Sequence, residues 1–135
     1  MNSKQKGRSG ELELVAVLRN LGFTGVHAGA CTSYGTEPDV SGLKGIHVEV
    51  KRVERLNLWA AMRQSISDSV KFHDGRPAVF HRRNRQPWLV TMRLDDWARL
   101  YKAAMKQPPR RATAPQEQRE VIPPRGEHGG QQKSP

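Results

Sequence analysis

The chain is expected to be an α/β protein in which a mixed sheet is flanked by helices. Three observations carry that expectation. Apolar residues recur at helical spacing in Leu14, Val17, Leu18 and Leu21, in Leu58, Ala61, Met62 and Ile66, and in Trp97, Leu100, Tyr101 and Ala104. Residues 46–51 alternate between apolar and polar, as a strand does when its two faces differ. Short runs at residues 23–28, 38–43, 77–81 and 88–92, bounded by Gly, Asp-Gly and a basic loop, fill the spaces between helices. The resulting order is αβββαββα.

The first helix is predicted from Ser9, whose hydroxyl can cap the free amides of a first turn, to Leu21, with Gly22 ending it. At 100° per residue Glu11 projects into the apolar sector beside Val15 and Leu18, whereas Glu13 falls outside it. A carboxylate on a core-facing stripe costs stability unless it is paired or ligates something. As a first-turn acid it would instead gain from the helix dipole alone. Phe23–Ala28 reads as a strand, followed by a loop, Gly29–Thr36, able to offer amides and hydroxyls to a phosphate or to act as a plain linker. Pro38–Leu43 can form the first strand of a hairpin, Gly42 and Gly45 bracket its turn, and Ile46–Arg52 is the second strand. A helix over 57–70 presents Leu58, Ala61, Met62, Ser65, Ile66 and Ser69 on one stripe. Asp74-Gly75 then turns into a strand at 77–81. Arg82–Gln86 is a basic hairpin loop, Trp88–Met92 a last strand, and Asp95 or Asp96 can cap a final helix to about Lys106.

Residues 1–106 suit one domain with a modest core. Residues 107–135 are rich in Pro, Gln and Gly and nearly devoid of apolar side chains. They read as a disordered tail, with a partner-binding arm as the other possibility. The 135 residues carry a formal charge of +10, with 23 Lys and Arg against 13 Asp and Glu. Five basic and three acidic residues lie in the tail, so the surplus belongs mainly to the domain. Such a balance points to a polyanion, nucleic acid before an anionic membrane, with solubility alone as the plainer explanation. A single cysteine, Cys31, excludes an internal disulfide and fits a reducing cytoplasm. The opening MNSKQKGRSG lacks the apolar run of a signal peptide, and a cytoplasmic location is expected. Cys31 and the five histidines show no zinc-ligand spacing, and no GxxxxGK[ST] loop is present.

Chemistry concentrates in Glu37–Arg52, EPDVSGLKGIHVEVKR. Ile46, Val48 and Val50 should enter a core, leaving His47, Glu49 and Lys51 on the opposite face. His47 there is expected as a solvated strand residue, with assistance to the site as the other possibility. If Pro38–Leu43 pairs with this strand, Asp39 joins Glu49 and Lys51 at one sheet edge, where two carboxylates and an ammonium suit a divalent cation and a water. An ordinary surface ion pair between Glu49 and Lys51 is the simpler alternative.

Lys6-Gly7 followed by Glu11 in a first helix, Pro38-Asp39 before a short turn, and Glu49-Val50-Lys51 on the next strand resemble the PD-(D/E)xK nuclease superfamily. The spacing is most similar to archaeal-type Holliday junction resolvases and small prophage-encoded endonucleases, over roughly residues 6–105. The phage-like similarity extends into HVEVKRVERLNLW and HRRNRQPWLVTMRLDDW. The resemblance implies a restriction-endonuclease-like sheet and Mg²⁺-dependent hydrolysis of DNA, with Mn²⁺ substituting, to give a 5′-phosphate and a 3′-hydroxyl. It implies that Asp39, Glu49 and the carbonyl of Val50 hold the metal, that Glu11 completes or orients the site, and that Lys51 serves the attacking water or the charge on phosphorus. Ser33 or Thr32 would contact the scissile phosphate, and Gln64 stands where some members carry a supporting helix glutamine.

Arg82, Arg83 and Arg85, then Arg52 and Arg55, are the candidate contacts to the DNA backbone, with Lys6 and Arg8 of the basic N-terminal arm beside them. A structure-selective junction resolvase needs two active sites, hence a C₂ homodimer on branched DNA. The alternatives are a sequence-specific or nicking nuclease on duplex DNA, and a non-catalytic DNA-binding protein on a nuclease fold.

Overall fold

A computed structural model describes residues 3–29 and 37–107. In chain order the elements are α1 (Ser3–Asn20), β1 (His27–Ala28), β2 (Val40–Ser41), β3 (Gly45–Arg52), α2 (Leu58–Phe72), β4 (Gly75–Arg82), β5 (Leu89–Met92) and α3 (Leu94–Lys106). The architecture is α/β, with a five-stranded mixed sheet in the order β1-β2-β3-β4-β5. All neighbours are antiparallel except β3 and β4, which run parallel from Gly45↔Gly75 to Arg52↔Arg82. A parallel pair needs a crossover, and α2 supplies it.

Both faces of the sheet are covered. Leu14, Val15 and Leu18 of α1 pack with Val26, Val40, Val48, Val50, Ala78 and Phe80 on one side. Ala61 and Met62 of α2 pack with Val79 on the other, Leu56, Leu58 and Ile66 closing the rim. The polar face of β3 is therefore not solvated: His47 is 1% and Glu49 4% exposed, because α2 lies across them. Asn57 caps α2, its side chain accepting from the Ala60 amide at 3.0 Å.

Gly10 sits where α1 meets β3. A Cβ there would stand 2.6 Å from Cβ of Arg52, inside any normal contact, so only glycine lets the helix lie this close. The start of β4 has the same requirement. Gly75 takes φ +134 against the backbone of Gly45 and has no room for a side chain.

Several expectations are corrected. The first helix begins at Ser3, so Ser9 is not its cap and Glu11 lies beyond the first turn, where a dipole gain no longer accounts for it. The first two strands are short. The amides of Leu21, Gly22 and Phe23 turn back to close α1, Gly22 at φ +101, and pairing starts only at His27. The final helix is capped at Arg93 without a side-chain bond, and Asp95 and Asp96 lie inside its first turn. Its stripe is not buried: Trp97 is 51% exposed, and Leu100, Tyr101 and Ala104 are also exposed. Helices α1 and α2 have already taken the two sheet faces, and α3 follows edge strand β5. What fixes α3 is Asp96, buried between Arg76 at 3.2 Å and Arg93 at 2.9 Å. Among the described residues no helix is long and apolar enough to cross a membrane.

Candidate functional site

Strand β3 carries the site, and three other elements bring side chains to it. Asp39 precedes β2, and the antiparallel pairing of Val40 with Val48 sets it beside the end of β3. There its Oδ2 accepts from the backbone amide of Val50 at 2.9 Å. Glu11 descends from α1 to a position where it and Asp39 perturb each other's protonation. Glu49 comes from β3 itself, with Lys51 Nζ 3.1 Å from its Oε1. Lys51 also donates to Oε1 of Gln64 on α2 at 3.0 Å, so the ammonium is held between a strand acid and a helix amide.

The electrostatics follow from packing three carboxylates beside one lysine. Burial, then repulsion from Asp39, lifts Glu49 to about 7, Lys51 opposing the rise. Burial, then the neighbouring Asp39, lifts Glu11 to about 7 as well. Asp39 is also raised, burial outweighing the stabilising Val50 amide and Lys51. A cluster that binds protons this readily near neutrality has more negative charge than its surroundings compensate. Hard carboxylate oxygens converging in that state are a donor set suited to a divalent cation.

The residues expected around this centre divide into groups. Glu11, Asp39, Glu49, Lys51 and Gln64 are brought together, Val50 supplying its amide to Asp39. Arg8 is exposed one α1 turn before Glu11 and opposes its rise. Arg55, Arg83 and Arg85 are exposed near the ends of β3 and β4. Ser33, Thr32 and the side chain of Lys6 lie outside the described residues, as does the tail from residue 108.

Arg52 and Arg82 are not simply open to a ligand. Both reach Glu13 of α1: Arg52 Nε at 3.1 Å from Oε2, and Arg82 Nη1 on Oε1. The two arginines are register partners on β3 and β4, and Glu13, outside the apolar sector of its helix, reaches across both strand ends. Arg52 also donates to Asn84 Oδ1 at 2.9 Å, and Glu54 accepts from the Asn84 amide at 2.9 Å, which ties the hairpin down.

Sequence reasoning missed Asp68, Asp74 and the surroundings of His47. Oxygens of Glu49 and Asp68 and a ring nitrogen of His47 lie within 4.8 Å of one another. Asp74 holds Nδ1 of that ring, its carboxylate oxygens 2.8 and 2.9 Å away. That Asp68 is the one acid in α2 was the available signal. No family model matches the chain, and no curated protein or solved structure matches it either.

Proposed function

We propose that the protein is a Mg²⁺-dependent endodeoxyribonuclease of the PD-(D/E)xK kind, cytoplasmic, acting on DNA as a homodimer and preferring branched structures such as the four-way junction. One observation carries this reading: Glu11, Asp39 and Glu49, drawn from a helix, a loop and a strand across 39 positions, meet beside Lys51. An ordinary surface ion pair would need neither the buried Glu49 nor the two further acids.

Phosphodiester hydrolysis attaches a water oxygen to phosphorus, breaks the bond to the 3′ oxygen, sends the water's proton to a base or to solvent and supplies a proton from solvent to the departing 3′ oxygen. A bound Mg²⁺ would lower the pKa of that water and shield the charge building on the phosphate. Asp39, Glu49 and the Val50 carbonyl would hold the ion, with Glu11 beside them. The Val50 amide keeps Asp39 oriented toward that task. Lys51 is steered by Glu49 and Gln64, so its ammonium is placed to orient the attacking water or meet an equatorial phosphate oxygen. Exposed Arg55, Arg83 and Arg85 would track the DNA backbone.

The test is cleavage by the purified chain, with and without Mg²⁺, of a four-way junction, a flap, a linear duplex and a single strand. Paired nicks in the junction are expected. Preferential cutting of linear duplex would favour the restriction or nicking type, and salt-sensitive binding without any cleavage would favour a non-catalytic DNA-binding protein.

A further inference from the structure

Buried polar nitrogens almost always have a partner, and His47 has only half of what its ring requires. Its Nδ1 faces the Asp74 carboxylate, which can only accept from it, so Nδ1 carries the proton. Nε2 on the opposite edge is buried and meets no hydrogen-bond partner among the described residues. The ring cannot turn away to water. It is 1% exposed and stacks on Phe72 of α2, centroids 6.1 Å apart and planes 14° from parallel. A lone pair is thus held in place on a ring that groups with the carboxylates of Glu49 and Asp68, and since Nδ1 is taken up by Asp74, Nε2 is the nitrogen left to face them.

A carboxylate holding the far nitrogen of an imidazole is the arrangement that orients and strengthens a metal-ligating histidine. We propose that His47 Nε2, Glu49 and Asp68 form a binding site for a divalent transition-metal ion such as Zn²⁺, sharing Glu49 with the all-oxygen pocket of Glu11 and Asp39. One nitrogen and two carboxylates favour such ions over Mg²⁺, which prefers oxygen alone. Ligands around zinc stand about 3.3 Å apart when each is about 2.0 Å from the ion. The three ligand atoms lie within 4.8 Å of one another, and half-buried Asp68 has the freedom to bring them to that spacing. Asp68 also gives the ion its way in. Glu49 belongs to both sites and would link them through its two oxygens.

This site is independent of whether the chain cuts DNA, and the experiment reads metal alone. Chelator-treated full-length protein is titrated with Zn²⁺ and with Mn²⁺ by calorimetry, without nucleic acid, beside His47→Gln, Asp68→Asn and Asp74→Asn. Asp68→Asn, on a half-buried helix position, answers the question even if the His47 variant fails to fold. Affinity for Zn²⁺ should fall more than about 10-fold in the His47 and Asp68 variants and about 10- to 100-fold in Asp74→Asn. Mn²⁺ bound to the wild type should show ¹⁴N coupling by pulsed electron paramagnetic resonance, and this should vanish in His47→Gln. No Zn²⁺ binding by the wild type, or binding that Asp68→Asn leaves unchanged, would overturn the site.

Discussion

The backbone amide of Val50 points at Asp39 and donates to its Oδ2 at 2.9 Å, between the two residues, Glu49 and Lys51, that share Asp39's end of the sheet. A hairpin acid is thereby locked to the strand that carries the rest of the site. Asp39→Asn keeps the shape and an acceptor for that amide but removes a charge. We expect cleavage to drop by about 10²- to 10³-fold with little change in melting temperature. Lys51→Ala should do the same while leaving salt-sensitive DNA binding intact. Equal cleavage by wild type and variants would remove Asp39 and Lys51 from the chemistry.

Protonation of Glu11 and Glu49 gives a pH signature. Both are raised from 4.5 to about 7, so the folded state holds these protons more tightly than the unfolded chain. The stability this contributes is fully present below 4.5 and is lost as pH rises through about 7. The metal-free melting temperature should therefore fall across that window and flatten beyond it. Millimolar Mg²⁺ should restore it more at about pH 8 than near pH 5, because protons and the cation compete for the same oxygens. A metal effect equal at both pH values would show that the ion binds elsewhere.

DNA affinity should separate the arginines by what already holds them. Exposed Arg83 and Arg85, changed together to Ala, should flatten the slope of log affinity against log salt by about two contacts. Arg82→Ala should move that slope less and the melting temperature more, since it removes one of the two arginines that hold Glu13. Salt titration of binding by anisotropy distinguishes the two patterns. A larger slope change for Arg82 than for the pair would reverse the assignment.

The apolar stripe of α3 bears on the proposed dimer. Leu94, Trp97, Tyr101 and Met105 are exposed on the helix that follows β5, the last strand of the sheet among the described residues, whose Leu89 and Val90 are exposed too. A two-fold axis through this corner would bring a second copy's edge strand and helix onto the same patch. Trp97→Asp with Tyr101→Asp should shift the chain from dimer to monomer in light scattering at micromolar concentration. If a chain truncated after residue 107 dimerises while the full chain does not, residues 108–135 cover this face instead.

Residues 46–52 announced their strand because alternation is a local property, and the α2 stripe was equally legible for the same reason. The pairing of Asp39 with Glu49 also followed from a local rule, since a hairpin turn fixes its own register. What could not be read was which surfaces other elements would cover. His47 looked like a solvated strand residue because nothing in its neighbourhood reveals that α2 crosses it. Trp97 and Tyr101 looked buried because periodicity reports an amphipathic helix and not whether a sheet face remains for it. Glu13 was set aside as lying off the stripe, yet from there it reaches two strand ends about 39 and 69 positions away.

Gly10 gives the acid cluster a hidden dependence. The residue next to it in the chain is Glu11, and the depth at which that carboxyl meets Asp39 is set by how near the helix axis comes to β3. A single added methyl would prop α1 away from the strand and lift Glu11 out of reach, so the reach of a candidate metal ligand is governed by a carbon atom that its neighbour does not have.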